Sequence, residues 1–236
     1  FGGVALLAAL VGPFAGLQFA FNVEFAALAR VLADDFGGFA RKIADIARSK
    51  NLDSVEALSA AEYENGVSVD EARKALIAKI GENMTVRRFV TYNASGVVGS
   101  YLHGKKIGVL VELEGNNAEL AKQIAMHIAA SNPQAIDESG LDSAFVDKER
   151  RIAQEKAVQS GKPADIAAKI AEGALAKILK EVTLLGQAFV IDPSKSVEQL
   201  LKENKTKVLR FTRYELGEGI EKKQEDFAAE VAAQMQ

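Results

Sequence analysis

The sequence predicts an α+β fold: two repeated small antiparallel three-stranded sheets with helices, an inserted antiparallel helical hairpin of coiled-coil type, and a C-terminal helix. Three observations predict it. In Val97–Glu114, two runs rich in β-branched and aromatic residues flank a short His103-Gly104-Lys105 turn, where Gly104 supplies the positive φ of a tight hairpin. Leu120, Ile124 and Ile128 then recur at helical spacing up to Asn132-Pro133, so the hairpin feeds a helix. Second, the parts of this unit occur twice. Gly12 and Gly16 return as Gly104 and Gly108, about 92 residues on. Ala40-Arg41-Lys42-Ile43-Ala44 returns as Ala121-Lys122-Gln123-Ile124-Ala125, about 81 on, and Val86–Tyr92 returns as Val208–Tyr214, about 122 on. Third, the shift changes along the chain. The first copy carries about eleven extra residues, Asn22–Leu32, between hairpin and helix, and the second carries a long insertion before its third strand. Insertions into a repeated scaffold are where function tends to sit.

Taken in order, Phe1–Phe25 is unusually apolar, and Gly12-Pro13 divides it into two strands, Val4–Val11 and Phe14–Phe21. Asp34-Asp35 precedes a helix whose core face carries Phe36, Phe39, Ile43, Ile46 and Ala47, ending at Ser49-Lys50-Asn51. Further helices are expected around Val55–Tyr63 and Val69–Ile80, the second capped by Ser68 or Asp70. A strand, Thr85–Tyr92, follows. In the insertion, a charged helix from about Asp142 to Ser160 has sparse apolar positions at Phe145, Val146, Ile152, Ala153 and Ala157. Ser160-Gly161-Lys162-Pro163 breaks it, and the next helix places Ile166, Ile170, Ala174, Ile178 and Leu179 on one stripe. Such a hairpin packs on the body or meets a partner or a second copy. After Gly217-Glu218-Gly219, a terminal helix with Ile220, Phe227, Val231 and Met235 either caps its own core or lies in a partner's groove. The expected division is a core N-subdomain (1–96), a core C-subdomain in two parts (97–135 and 185–219), the helical-hairpin insertion (136–184) and a C-terminal module (220–236).

Composition excludes several function classes. A chain of 236 residues, 48% hydrophobic and 26% charged, buries a core sufficient for one or two domains. Its net charge of −3 gives no global field for nucleic acid. Absent cysteine excludes disulfides, thiolate catalysis and thiolate zinc sites. No apolar run approaches the ~20 residues of a membrane span, and no basic segment precedes the apolar start, so a cytoplasmic protein without signal peptide is expected. The first residue is Phe, so the chain is expected to begin part-way into a longer protein.

Catalytic motifs are absent. Gly99–Lys106 nearly spells a phosphate-binding loop, but Lys106 stands where the magnesium-binding hydroxyl belongs, and a strand follows where a helix should. His103 and His127 lack neighbouring carboxylates for a metal, and His127 reads as a satisfied or partly exposed helix histidine. Glu112 and Glu114 alternate on a strand and read as a solvated face. The residues point to no enzyme, no cofactor and no metal.

Several motifs are similar to those of the bacterial elongation factor Ts family: Gly99-Ser100-Tyr101-Leu102-His103-Gly104, Ile107-Gly108-Val109-Leu110-Val111, Ile124–Ser131, Ser160-Gly161-Lys162-Pro163, Asp192-Pro193-Ser194-Lys195, Gly217–Lys222 and Asp226–Val231. They occur in family order from about Leu76 to the C-terminus. The resemblance implies two α+β subdomains, a helical hairpin and a C-terminal docking module, and a guanine-nucleotide exchange factor whose partner is elongation factor Tu. It also implies possible homodimers or heterotetramers. The family's Thr-Asp-Phe-Val-Ala motif falls by position on Val23-Glu24-Phe25-Ala26-Ala27, with Phe25 and Ala27 matching outright. No part of this chain resembles the family's small N-terminal three-helix domain. Carried over residue by residue, Phe25 would wedge between helices of the partner and Glu24, beside Val23, would disturb its magnesium site. His103, flanked by Leu102 and Gly104, would press the same region, and Phe227 and Val231 would add binding energy. From the residues alone, Phe25 reads rather as a core aromatic. A structural protein dimerising through its helical hairpin is the alternative.

Overall fold

The computed structural model describes residues 4–11, 17–25, 33–81, 83–104, 106–215 and 218; for 4–11, 17–25 and 33–34 it describes the backbone. The expected Gly12-Pro13 turn and the C-terminal helix, with Ile220, Phe227, Val231 and Met235, lie outside the described residues.

Two antiparallel three-stranded sheets form the centre. The first has β1 (Val4–Val11), β2 (Leu17–Phe25) and β5 (Met84–Asn93) in the order β1-β2-β5. The second has β6 (Val97–His103), β7 (Ile107–Leu113) and β8 (Val208–Glu215) in the order β6-β7-β8. Each central strand is followed by a helix that covers the outer face of its sheet: α1 (Ala33–Ser49) after β2, and α4 (Ala118–Ser131) after β7. The inner faces pack on each other, giving helix, sheet, sheet, helix in four layers.

The alternation of strand side chains explains the layering. On β5, Met84 and Val86 join Phe36, Phe39 and Ile43 of α1, while Tyr92 faces the second sheet. On β7, Val109, Val111 and Leu113 pack against Leu120, Ile124 and Ile128 of α4, while Leu110 faces Tyr92 and Tyr214 between the sheets. Buried on both faces, β7 needs the nearly continuous apolar run it has.

The repeat found in the sequence has a counterpart in the register. Asn22 pairs with Arg88 and Val23 with Val86, leaving Arg87 as an extra residue on β5. Glu112 pairs with Arg210 and Leu113 with Val208, leaving Leu209 extra on β8. Arg87 and Leu209 stand in the same place in the two copies of the third strand, at the sequence shift already noted.

Along the chain between α1 and β5, and packed on both, lie α2 (Val55–Ala60), a small ladder of β3 (Glu62–Glu64) and β4 (Val67–Ser68), and α3 (Val69–Ile80). The α3 range is the expected one, and Ser68 caps it in a capping box with Glu71. The insertion holds α5 (Ser143–Gln159), capped by Asp142, and α6 (Ala164–Val182), antiparallel to it. A further short helix, α7 (Val197–Glu203), precedes β8.

Four expectations are corrected. The second strand is Leu17–Phe25 rather than Phe14–Phe21, because its register is set by β5, and residues 22–25 of the expected insert are strand. The helix expected to Tyr63 ends at Ala60, and Tyr63 joins the β3–β4 ladder around Asn65-Gly66, both at positive φ. In α6 the buried stripe is Ala167, Ala171, Leu175 and Leu179, while Ile166 and Ile170 are exposed. Small residues win there because Ala153 and Ala157 of α5 let the two helices approach closely. Glu112 is not on a solvated face: it is 2% exposed, whereas Glu114 is exposed and pairs with Lys207 at 3.5 Å.

Candidate functional site

His103 ends β6, opposite Ile107, at the tip of the second hairpin. Lys106 N–H donates to the His103 carbonyl at 3.2 Å, and Gly104 turns the chain at φ +60° with open space around it. Leu102, His103 and Gly104 are exposed. The ring of Tyr101 stands 6.2 Å from that of His103, its hydroxyl 3.3 Å from Nδ1. Behind the tip, Gly99 lets β6 lie directly on the backbone of Ala121 in α4.

Val23, Glu24 and Phe25 are the last three residues of β2. They pair with Val86, Thr85 and Met84 of β5 on one side and with Leu6, Ala5 and Val4 of β1 on the other. A circuit of pairings relates this strand end to His103. Phe25 lies beside Met84, where β5 begins. Along β5, Tyr92 meets Arg210 and Thr212, while Arg88 lies over the Tyr214 ring and bonds Glu218 at 2.8 Å. β5 and β8 therefore cross the seam in opposite directions. Glu215, at the end of β8, pairs with Ile107, which pairs with His103. The backbone of Phe25 and the His103 tip thus stand at the same end of the two-sheet body. Phe227 and Val231 lie outside the described residues.

The near-phosphate-loop motif forms the β6–β7 hairpin, with a strand after its turn, so no helix N-terminus is offered to an anion. Among the described residues no group of His, Cys, Asp and Glu has the arrangement of a metal site. None of the described helices is long and apolar enough to cross a membrane.

The partners in two polar constellations escaped the sequence. Glu112 accepts N–H bonds from Ser95 at 2.7 Å and Gly96 at 3.1 Å, and pairs with Arg210 at 2.7 Å. Burial alone would raise its pKa, but these donors together hold its carboxyl below the usual range. His127, fully buried, accepts from the Val190 N–H at Nδ1 (3.2 Å) and therefore donates from Nε2 to Gln187 Oε1 (3.0 Å). Gln187 in turn donates to the carbonyls of Ser131 and Glu181, tying the chain after α6 to the end of α4. Burial holds His127 below its ordinary pKa, against the Gln187 bond. Glu112 finds its donors 16, 17 and 98 positions away and His127 its partners 60 and 63 away, so no local pattern reveals them.

The sequence profile of the family described as Elongation factor TS matches residues 31–218, a range that starts after Val23-Glu24-Phe25. Elongation factor Ts of Janthinobacterium sp. (strain Marseille) is 52% identical over 202 residues, 86% of this chain and 69% of that protein. Elongation factor Ts of Azoarcus sp. (strain BH72) is 55% identical over 202 residues, 85% of this chain and 68% of its own. That of Burkholderia thailandensis is 44% identical over 230 residues, 98% of this chain and 78% of its own. With the profile spanning most of the chain and identities of this size over whole subdomains, the chain belongs to the elongation factor Ts family of translation elongation factors.

Proposed function

We propose that this protein is the guanine-nucleotide exchange factor for elongation factor Tu: it binds the GDP-bound partner and speeds GDP release during translation elongation. It makes and breaks no covalent bond, holds no cofactor, and works in the cytoplasm without binding nucleic acid directly. A partner's nucleotide is held by donors around its phosphates and by a magnesium ion that offsets their charge. Any protein that prefers the nucleotide-free form lowers nucleotide affinity by the same factor, and a thousandfold effect needs about 4 kcal/mol of preference. That preference must come from groups that fit one form and strain the other. Phe25 wedging between helices, Glu24 beside Val23 near the magnesium site, and His103 with Leu102 and Gly104 pressing the same region are the groups assigned to it. Phe227 and Val231, in the C-terminal module, add affinity that does not discriminate.

The observation that carries this reading is the shared end of the Phe25 strand and the His103 hairpin, since one partner can feel both. The test is stopped-flow release of fluorescent GDP from elongation factor Tu. Addition of the chain is expected to accelerate release in proportion to its concentration until saturation, and an unchanged release rate overturns the proposal.

A second reading has its own observation. Val158, Ile166 and Ile170 of the helical hairpin are 71%, 44% and 38% exposed, an apolar surface suited to self-association. If dimerisation through it is the function, Ile166→Asp with Ile170→Asp yields a monomer by sedimentation velocity. If exchange is the function, the same variant retains the wild-type release rate.

A further inference from the structure

Ala94-Ser95-Gly96 connects the first sheet to the second, and a buried carboxylate holds this connection. Glu112 Oε1 accepts the N–H groups of Ser95 and Gly96 and the Ser95 hydroxyl at 3.3 Å; Oε2 accepts from Arg210 Nε. The Arg210 guanidinium lies 4.1 Å over the Tyr92 ring and donates to the Asn93 carbonyl at 3.0 Å. The Tyr92 hydroxyl is 2.9 Å from Thr212 Oγ1. A Cβ on Gly96 would stand 2.0 Å from the Leu113 carbonyl oxygen, so the connection lies flush against β7. The end of β5, the connection, β7 and β8 are thereby one bonded unit.

The pair is buried at Glu112, 3% exposed, and open at Arg210, 43% exposed; desolvation of the carboxylate offsets much of the attraction, and what the pair adds is the direction of its bonds. Among the described residues the apolar seam holds Tyr92, Leu110 and Tyr214 with Val90 and Val98, and apolar contact is non-directional. It opposes separation of the sheets more than rotation. At the opposite end Arg88 pairs with Glu218 and lies over the Tyr214 ring, and Arg87 donates to the Glu218 carbonyl, in contacts that solvent reaches and weakens. Glu112 is the buried group whose directional bonds, direct and through Arg210, span the junction of the two sheets. From Tyr92 to Met84 is eight residues of strand, roughly 26 Å, so a rotation of about 10° at the clamp moves the far end by roughly 4 to 5 Å. That far end carries Phe25 and His103.

We infer that Glu112, with Arg210, is a positioning residue for nucleotide exchange: it fixes the spacing of the two tips without touching the partner. The inference rests on the exchange reading above. Because the chain has no cysteine, a pair introduced at the exposed positions Asn83 and Lys106 takes spin labels cleanly, and pulsed dipolar spectroscopy reads the distance between the tips. In the otherwise unaltered chain one narrow distribution is expected. Glu112→Gln, which presents an amide to Arg210 in place of the carboxylate, is expected to shift or broaden it. The maximal GDP-release rate at saturating factor should fall at least tenfold, while the concentration for half-maximal effect changes less than threefold. Arg210→Lys keeps the charge and loses the bond to Asn93; it serves if Glu112→Gln fails to fold, with the same direction expected. An unchanged distribution in a folded variant overturns the inference, as does a changed distribution with an unaltered release rate. Failure of the unaltered chain to release GDP refutes the exchange reading instead, and the distance measurement still decides whether Glu112 sets the tips.

Discussion

Two glycines of the same hairpin separate steric from conformational constraint. In Gly99→Ala the new Cβ would lie 2.3 Å from the carbonyl carbon and oxygen of Ala121 and 2.8 Å from its Cβ. Ordinary carbon contacts begin near 3.5 Å, so strand and helix must part by roughly 1.2 Å. The obstacle is helix backbone, which cannot swing aside as a side-chain end can. Moving α4 also disturbs Leu120, Ile124 and Ile128, all 4% exposed or less. Overpacking of this kind costs about 1 to 3 kcal/mol, and a backbone obstacle puts Gly99→Ala at the upper end, about 3 kcal/mol. Gly104→Ala meets nothing within 4 Å and pays for φ +60° alone, about 1 kcal/mol. Urea unfolding followed by circular dichroism measures both, with m unchanged if the unfolded ensembles are alike. A Gly104→Ala loss equal to or larger than that of Gly99→Ala would refute the packing of β6 on α4 described here.

Three further outcomes are expected. His103→Ala should slow the maximal GDP-release rate at least tenfold while leaving most of the affinity for elongation factor Tu, as read by titration calorimetry; a wild-type rate removes the hairpin tip from the mechanism. His127 has its pKa held below 6.5 in the folded protein, so as pH falls the unfolded chain takes up a proton first. Its contribution to stability is complete above pH 6.5 and is lost as pH falls through the folded value; urea midpoints at pH 7 and pH 5 should differ less in His127→Gln than in the parent. Burial, opposed by the bond to Thr212, pushes the Tyr92 phenol up to about 12. Tyr92→Phe should therefore delete a late step from the spectrophotometric alkaline titration, and a titration ending at the same pH contradicts the closed seam.

What was legible in the sequence is what local rules decide. Ser68 and Glu71 stand at capping-box spacing before an apolar-periodic run, and α3 starts and stops where that pattern does. Asp142 and Ser160-Gly161-Lys162-Pro163 bound α5 for similar reasons. The β3–β4 ladder was missed although Asn65-Gly66 is a hairpin signal, because strands of three and two residues are too short to show alternation. The second strand was displaced because Asn22 interrupts the apolar residues of Leu17–Phe25 and reads as a strand end, whereas partners on β5 carry the ladder through it to Phe25. In α6 the isoleucine stripe has the larger hydrophobicity, yet the alanine face is buried; facing alanines on α5 reward closeness over bulk. The β6–β7 hairpin tip followed from the local signal at Gly104, since a turn makes it. What joins the tips was hidden, because Glu112 acquires its partners from the Ser95-Gly96 connection and from Arg210, 98 positions on. A duplicated scaffold makes that division of labour intelligible. Each copy folds by local rules and presents its own tip, but the relation between copies needs a directional device at their junction, and in this chain a buried carboxylate supplies it.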